Sequence, residues 1–349
     1  MVSGLKSFFP ALGLVLLLMG CAGQGTGHLS APAAIGNAVP APAPPLAPQL
    51  ADRFLVAADG TRLPLRAWLP DGKPRAIILA LHGFNDYSHA FAGPATAWAK
   101  DGIATYAYDQ RGFGQAPLRG RWPGAAVLAE DLATASRLLR ERHPGVPLYL
   151  LGESMGGAVV VTAVTGAAGV APPIADGIIL VAPAVWGRDS MNVFERVALW
   201  GGDQFFPSAT LTGRGLHIMP SDNIEMLRGL ARDPLVIKET RIDTIKGLVD
   251  LMDLAAHAAP GVSEPMLLLC GEHDEIVPHG ATRLWIERLP YQARMARRIA
   301  WYANGYHMLL RDLEAPMVME DIEDWIGDHR AQLPSGADRA AAQLLYAQR

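Results

Sequence analysis

The sequence predicts an α/β protein with a mostly parallel eight-stranded sheet, helices on both faces and a helical insertion that forms a cap. Three observations carry this expectation. Ala76 to Leu81, Ile103 to Tyr108, Leu148 to Leu151, Gly177 to Val181, Met266 to Cys270 and Arg298 to Tyr302 are continuous apolar runs, the pattern of strands buried on both faces. Turns and helical stretches separate them, which implies right-handed βα crossovers. The alternation then lapses between Pro183 and about Ala255, where no clear strand is legible; an insertion of that length inside an α/β unit is more often functional than accidental.

The chain opens outside this fold. Lys6 precedes an apolar run from Phe8 to Leu18, too short to span a bilayer comfortably and shaped like a signal peptide. The segment Leu18-Met19-Gly20-Cys21 resembles the lipobox of bacterial lipoproteins. That resemblance implies that residues 1–20 are removed and that Cys21 becomes a lipid-modified N-terminus; an ordinary signal peptide with a chance cysteine is the alternative. Residues 21–50 are rich in Ala, Gly and Pro, with six prolines between Pro32 and Pro48. Such a stretch buries no core and favours extended, semi-rigid chain. The expectation is a domain tethered to a membrane of the bacterial cell envelope, since several acyl chains on one residue give stable attachment. Ala22 stands where lipoproteins retained at the inner membrane of some bacteria carry aspartate, which favours the outer membrane.

The folded domain is expected over residues 51–330. Phe54 to Ala57 and Leu63 to Leu69 flank Asp59-Gly60, a hairpin signal. Ala125 to Arg142 spaces Val127, Leu128, Leu132, Leu138 and Leu139 as a helix does, and Pro144 closes it. Ala158 to Ala168 is built of small and β-branched residues suited to lying close against a sheet. The cap, about 185–255, carries Trp186, Met191, Phe194, Trp200, Phe205, Phe206 and Met219. Pro316 to Ile326 forms a last helix, and residues 331–349 read as a polar, Ala-rich tail.

Half of the 349 residues are apolar and the formal charge is −4. This composition excludes a mainly disordered chain, and without a basic stripe nucleic acid is not an expected partner. The two cysteines, Cys21 and Cys270, build neither an internal disulfide nor a zinc cluster. Cys270, inside an apolar run, reads as core packing.

Gly152-Glu153-Ser154-Met155-Gly156 is a G-x-S-x-G motif placed directly after one predicted strand and before a helix. A serine on that tight strand-to-helix turn is lifted above the sheet, with glycines relieving the crowding beside it. Ser154 is therefore the candidate nucleophile. Its hydroxyl needs a base, and the order Ser, acid, His confines that base to the C-terminal third of a chain with ten histidines. His307, in the loop after the last strand, is the candidate; His273 and His279 lie too early and His329 falls in the tail. Asp274, after the strand ending at Cys270, is the candidate acid that would orient the imidazole, with Glu272 and Glu275 as alternatives. Leu81-His82-Gly83-Phe84 ends another strand, where main-chain N–H groups of Phe84 and Met155 would face a developing oxyanion; His82 reads as a structural turn residue.

With Tyr108-Asp109-Gln110-Arg111-Gly112-Phe113-Gly114 and Gly305-Tyr306-His307, these segments resemble the monoacylglycerol lipase and lysophospholipase branch of the α/β-hydrolases, also called the serine aminopeptidase S33 group, over roughly residues 52 to 330. Phe113 and Ala116 depart from the D-x-R-G-H-G-x-S stretch common there, and Glu153 replaces the histidine often found before the serine. The resemblance implies the α/β-hydrolase fold, a helical cap over the serine and a small lipophilic ester substrate, cleaved through an acyl-enzyme, with no metal or organic cofactor. A peptidase or thioesterase on the same residues is the alternative activity, and a non-catalytic lipid-binding lipoprotein the alternative class. Nothing in the sequence gives the oligomeric state.

Overall fold

The computed structural model describes residues 47–213, 215, 218–290 and 297–346. The leader, Cys21 and nearly all of the tether lie outside the described residues. In chain order the sheet domain begins with β1 (Gln49–Leu50), β2 (Phe54–Val56), β3 (Arg62–Trp68), β4 (Ala76–Leu81), α1 (Ala92–Lys100), β5 (Ile103–Tyr108), α2 (Ala125–Arg142), β6 (Leu148–Glu153), α3 (Met155–Val164) and β7 (Gly177–Val181). The cap follows as α4 (Val193–Phe205), β8 (Thr210–Thr212), α5 (Ile224–Arg232), β9 (Glu239–Arg241) and α6 (Ile242–His257). The sheet domain then resumes with β10 (Met266–Gly271), α7 (His279–Arg288), β11 (Arg297–Tyr302), α8 (Ala315–Gly327) and α9 (Ala337–Tyr346).

The main sheet has the order β1-β2-β3-β5-β4-β6-β7-β10-β11. Its first three ladders, up to β3 against β5, are antiparallel, and those from β5 to β11 are parallel. Eight of these strands are those the sequence predicts; the ninth is the two-residue β1 at the edge. Strands β4, β5, β6, β7 and β10 are buried at every residue. Their side chains divide by alternation: Ile77, Leu79, Leu81 and Leu150 join a core with α2, α3 and α6, whereas Ile78, Ala80, Tyr149 and Leu151 join Trp98 and Trp325 on the other face. The parallel strands thus present their carboxyl ends at one edge, where a doubly covered sheet places its ligand site.

Two features differ from the expectation. The cap contains strands, since β8 and β9 pair antiparallel; at three residues each they are too short to carry a period-two pattern. The C-terminal segment is not a free tail. Leu333, Ala337 and Ala341 are buried, α9 packs against β11, and Ser335 donates its hydroxyl and main-chain N–H to Asp321 at 2.5 and 3.0 Å. Alanines on one helix face suffice to cover an edge strand, although their low hydrophobicity makes the stretch read as polar.

Candidate active site

The candidate nucleophile stands where β6 turns into α3. Ser154 has φ 53° and ψ −114°, a left-handed φ that costs a non-glycine residue of order 1–3 kcal/mol and persists only where the surroundings impose it. Here they do. A Cβ on Gly152 would overlap the Gly156 main chain, and one on Gly156 would overlap the Leu81 carbonyl, so the motif's glycines let β6, α3 and β4 close on one another. The Ser154 N–H donates to Val181 O at 2.9 Å, and its carbonyl accepts from Ala184 at 3.0 Å.

Asp274 follows β10, and His307 follows β11. The imidazole Nδ1 lies 2.9 Å from Asp274 Oδ2, while Asp274 Oδ1 accepts the N–H groups of Ile276 and Val277 at 2.8 and 2.9 Å. Burial by itself would lower the His307 pKa, but the adjacent Asp274 carboxylate outweighs it and the pKa is raised. Burial would likewise raise Asp274; the His307 charge and the two N–H donors hold it below the usual carboxylate range. Ser154 and His307 line the same cavity. No hydrogen bond joins their side chains among the described residues, a contact that commonly tightens only once substrate is bound.

The other candidates are engaged elsewhere. Glu272 accepts from the Trp301 indole, and Glu275 from the Met219 N–H at 2.8 Å. His279 packs edge-on to Trp301, His273 lies against Tyr306, and His329 stacks on Trp325. Cys270 is buried, and burial pushes its thiol pKa up.

Phe84 lines the cavity, and the Cβ position of Gly83 is only 3.4 Å from Ser154 Cβ. Met155 is the first residue of α3, where an N–H has no intrahelical acceptor. The two candidate oxyanion donors thus belong to the two segments that adjoin Ser154, the loop after β4 and the start of α3. His82 is fully buried behind them. Its Nε2 accepts from Gln110 N–H at 3.0 Å and its Nδ1 faces Gly83 O at 2.8 Å, which fixes the neutral tautomer donating from Nδ1. Phe113, buried in place of the family's histidine, packs edge-on against His82 and Phe84. Arg111 bonds Asp131 through Nε and Nη2 at 2.7 and 2.8 Å, and Asp59 through Nη1 and Nη2 at 2.6 and 2.9 Å. It ties the β2–β3 hairpin to α2 and does not enter the cavity.

Sequence reasoning missed the two charged residues Asp86 and Arg311 that line the cavity. Arg311 reaches Asp86 Oδ2 through Nη1 at 2.7 Å and both Glu153 oxygens through Nη2 at 3.2 and 3.3 Å. An arginine four residues after a histidine belongs to no motif, and its partners are more than 150 positions away, so no local signal exposes it. The cap is bonded to the same loops. Ile237 N–H donates to Asn85 O at 2.9 Å, Asn85 Nδ2 to Thr240 Oγ1 at 2.7 Å, Met308 N–H to Pro220 O at 3.0 Å, and Ser221 Oγ to Asp312 Oδ1 at 2.6 Å.

The cavity holds about 250 Å³. Ala184, Trp186, Leu248, Met252, Ile276, Val277 and Met308 give it an apolar wall, and the charged Asp86, Glu153 and Arg311 line it as well. Of the cap aromatics that the sequence reading singled out, Trp186 alone lines it. Phe194, Trp200, Phe205 and Phe206 are 61–81% exposed, because α4 turns Glu195 and Leu199 inward and its aromatic stripe to solvent.

A family model described as serine aminopeptidase, S33, matches residues 72–314. The monoacylglycerol lipase of Mycolicibacterium smegmatis is 25% identical over 282 residues, 77% of this chain and 94% of that protein. The monoglyceride lipase of Rattus norvegicus is 28% identical over 79% of this chain and 90% of its own length. Among solved structures, a monoacylglycerol lipase from Paleococcus ferrophilus superposes with a TM-score of 0.64 at 21% identity, covering 76% of this chain and 99% of that one. A soluble variant of the Saccharomyces cerevisiae monoglyceride lipase, in complex with a substrate analog, gives 0.64 at 18% identity over 84% and 100%.

Proposed function

Because the chain belongs to the serine aminopeptidase S33 family of α/β-hydrolases, we propose that it is a serine carboxylic-ester hydrolase acting on monoacylglycerols. The observation that carries this reading is that Ser154 and His307, the latter hydrogen-bonded to Asp274, line one cavity whose remaining wall is largely apolar. Ser154 Oγ attacks the ester carbonyl as His307 Nε2 takes its proton, and the Phe84 and Met155 N–H groups bind the oxyanion. The glycerol alkoxide leaves with the proton from His307, and water then releases the fatty acid by the reverse sequence. The relatives named above are monoacylglycerol or monoglyceride lipases, which supports an ester over a peptide or thioester. Turnover of monoacylglycerol, lysophospholipid, acyl-thioester and aminoacyl-anilide by wild type and Ser154→Ala tests it. Hydrolysis of monoacylglycerol by wild type alone is expected; a preference for the anilide would sink the lipase reading.

We further propose that the mature protein is a lipoprotein held by acylated Cys21 at the bacterial envelope, on the outer membrane. The lipobox-like segment and the proline-rich tether support this, as does the exposed aromatic stripe of α4, which suits a surface that works beside lipid. Fractionation of Cys21→Ser is the test. Release of most of the protein into the soluble fraction is expected, and retention of Cys21→Ser in membranes at the wild-type level would count against lipidation.

A further inference from the structure

Three loops build the candidate site, and they come from distant parts of the chain: the loop after β4 with Phe84 to Asp86, the elbow with Glu153 and Ser154, and the loop after β11 with His307. One side chain touches all three. Arg311 lies on the histidine loop, its own N–H bonded to Met308 O at 2.7 Å. Its Nη1 holds Asp86, two residues after the candidate oxyanion donor, and its Nη2 holds Glu153, the residue before the candidate nucleophile. The Arg311, Asp86 and Glu153 side chains are 11%, 8% and 3% exposed. Among the described residues Arg311 is the sole lysine or arginine lining the cavity.

We propose that Arg311 is a positioning residue that holds the oxyanion loop, the nucleophile elbow and the histidine loop in register through Asp86 and Glu153, and that it screens the His307 imidazole from the Glu153 carboxylate. A buried carboxylate one residue from a serine nucleophile is an odd choice on its own. Unpaired, it would be costly to bury, and it would draw a proton onto the very imidazole that must act as a base. The guanidinium answers both problems at once. The charges that bear on His307 are Asp274 and Glu153, which favour the imidazolium, and Arg311, which opposes it. Arg311 in turn faces Asp86 and Glu153. Its planar fork matters, because Nη1 and Nη2 each serve a different loop, whereas a lysine offers a single nitrogen.

The proposal rests on the ester-hydrolase reading but not on the lipid part of it, so the assay uses p-nitrophenyl butyrate. Wild type, Arg311→Met, Arg311→Lys, Glu153→Gln and the Glu153→Gln/Arg311→Met double variant are compared for kcat, KM and the pH profile of kcat/KM. Arg311→Met is expected to lose kcat by about 10- to 100-fold, the scale of an ångström of misplacement, with a smaller change in KM and its acid limb moved to higher pH. Glu153→Gln moves the limb to lower pH, and the double variant brings it back toward wild type while kcat stays low. Arg311→Lys restores the limb and part of kcat. A loss of kcat with the limb unmoved, or variants indistinguishable from wild type, would overturn the proposal. If Arg311→Met does not fold, the near-isosteric Glu153→Gln still decides, since an unmoved limb there is equally fatal. An inactive wild type would remove the hydrolase reading and this proposal with it, whereas an active wild type with indifferent variants removes this proposal alone.

Discussion

His307 Nδ1 sits 2.9 Å from Asp274 Oδ2, and the two side chains are only 6% and 5% exposed. In the proposed mechanism attack by Ser154 needs the neutral imidazole as base, and the His307 pKa is raised by Asp274 against the opposing effect of burial. Activity is therefore expected to fall as pH drops, beginning above the value of an ordinary imidazole, about 6.5. Asp274→Asn removes the carboxylate and permits the wrong tautomer; kcat should fall by about 10⁴ with folding intact. A kcat/KM profile from pH 5 to 9 for both proteins, with circular dichroism as the fold control, checks this. A flat profile would contradict the assignment of His307 as base.

The sheet was legible because strands buried on both faces leave uninterrupted apolar runs, and the elbow because Gly152, Ser154 and Gly156 must be adjacent in sequence to be adjacent in space. Asp274 and His307 could be placed by their positions after successive strands. What could not be read depends on partners far along the chain. The Arg311 bridge to Asp86 and Glu153 has no local pattern, nor has the seating of Thr240 against Asn85. The α4 aromatics were legible as apolar but not as outward-facing, because Val193, Phe194, Val197 and Trp200 form as regular a helical stripe as a buried face would. The direction of that stripe was decided by Leu199 and Glu195, which the cap turns inward.

Arg111 is held by one buried and one half-exposed carboxylate. Asp131 is 2% exposed and Asp59 54%. Removing Arg111 strands the Asp131 charge in the interior, so Arg111→Met is expected to cost about 3–5 kcal/mol. Asp59→Ala should cost under about 1 kcal/mol, since solvent screens that pair. Urea unfolding of both variants separates the two, and equal losses would show that the hairpin side of the anchor had been undervalued.

Asn85 links the cap to the loop after β4, and it does so from a left-handed φ of 66°. Its Nδ2 bond to the buried Thr240 hydroxyl helps to hold that conformation next to Phe84. Thr240→Val keeps the shape and removes the acceptor, which should cost about 1–3 kcal/mol by leaving a buried donor unpaired. If the latch also fixes the Phe84 N–H, kcat falls while KM changes little. Thermal unfolding and steady-state kinetics on a soluble ester measure both effects, and unchanged kcat would confine the latch to cap stability.

The outward face of α4 gives the last prediction. Val193, Phe194, Val197 and Trp200 are 59–81% exposed, and Trp200 meets Phe205 edge to face with ring centroids 6.4 Å apart. A stripe of that kind gains by entering a lipid interface, at about 1.5–3 kcal/mol for each large side chain fully buried. Phe194→Ser with Trp200→Ser should therefore weaken partition onto phosphatidylglycerol-containing vesicles by roughly a hundredfold. The Cys21→Ser background removes the proposed lipidation site, so that the cap is measured by co-sedimentation without it. Turnover of p-nitrophenyl butyrate should be unchanged, because neither side chain lines the cavity. Undiminished vesicle binding would mean that the stripe is not what meets the lipid, whereas lost turnover would mean that α4 shapes the site from outside.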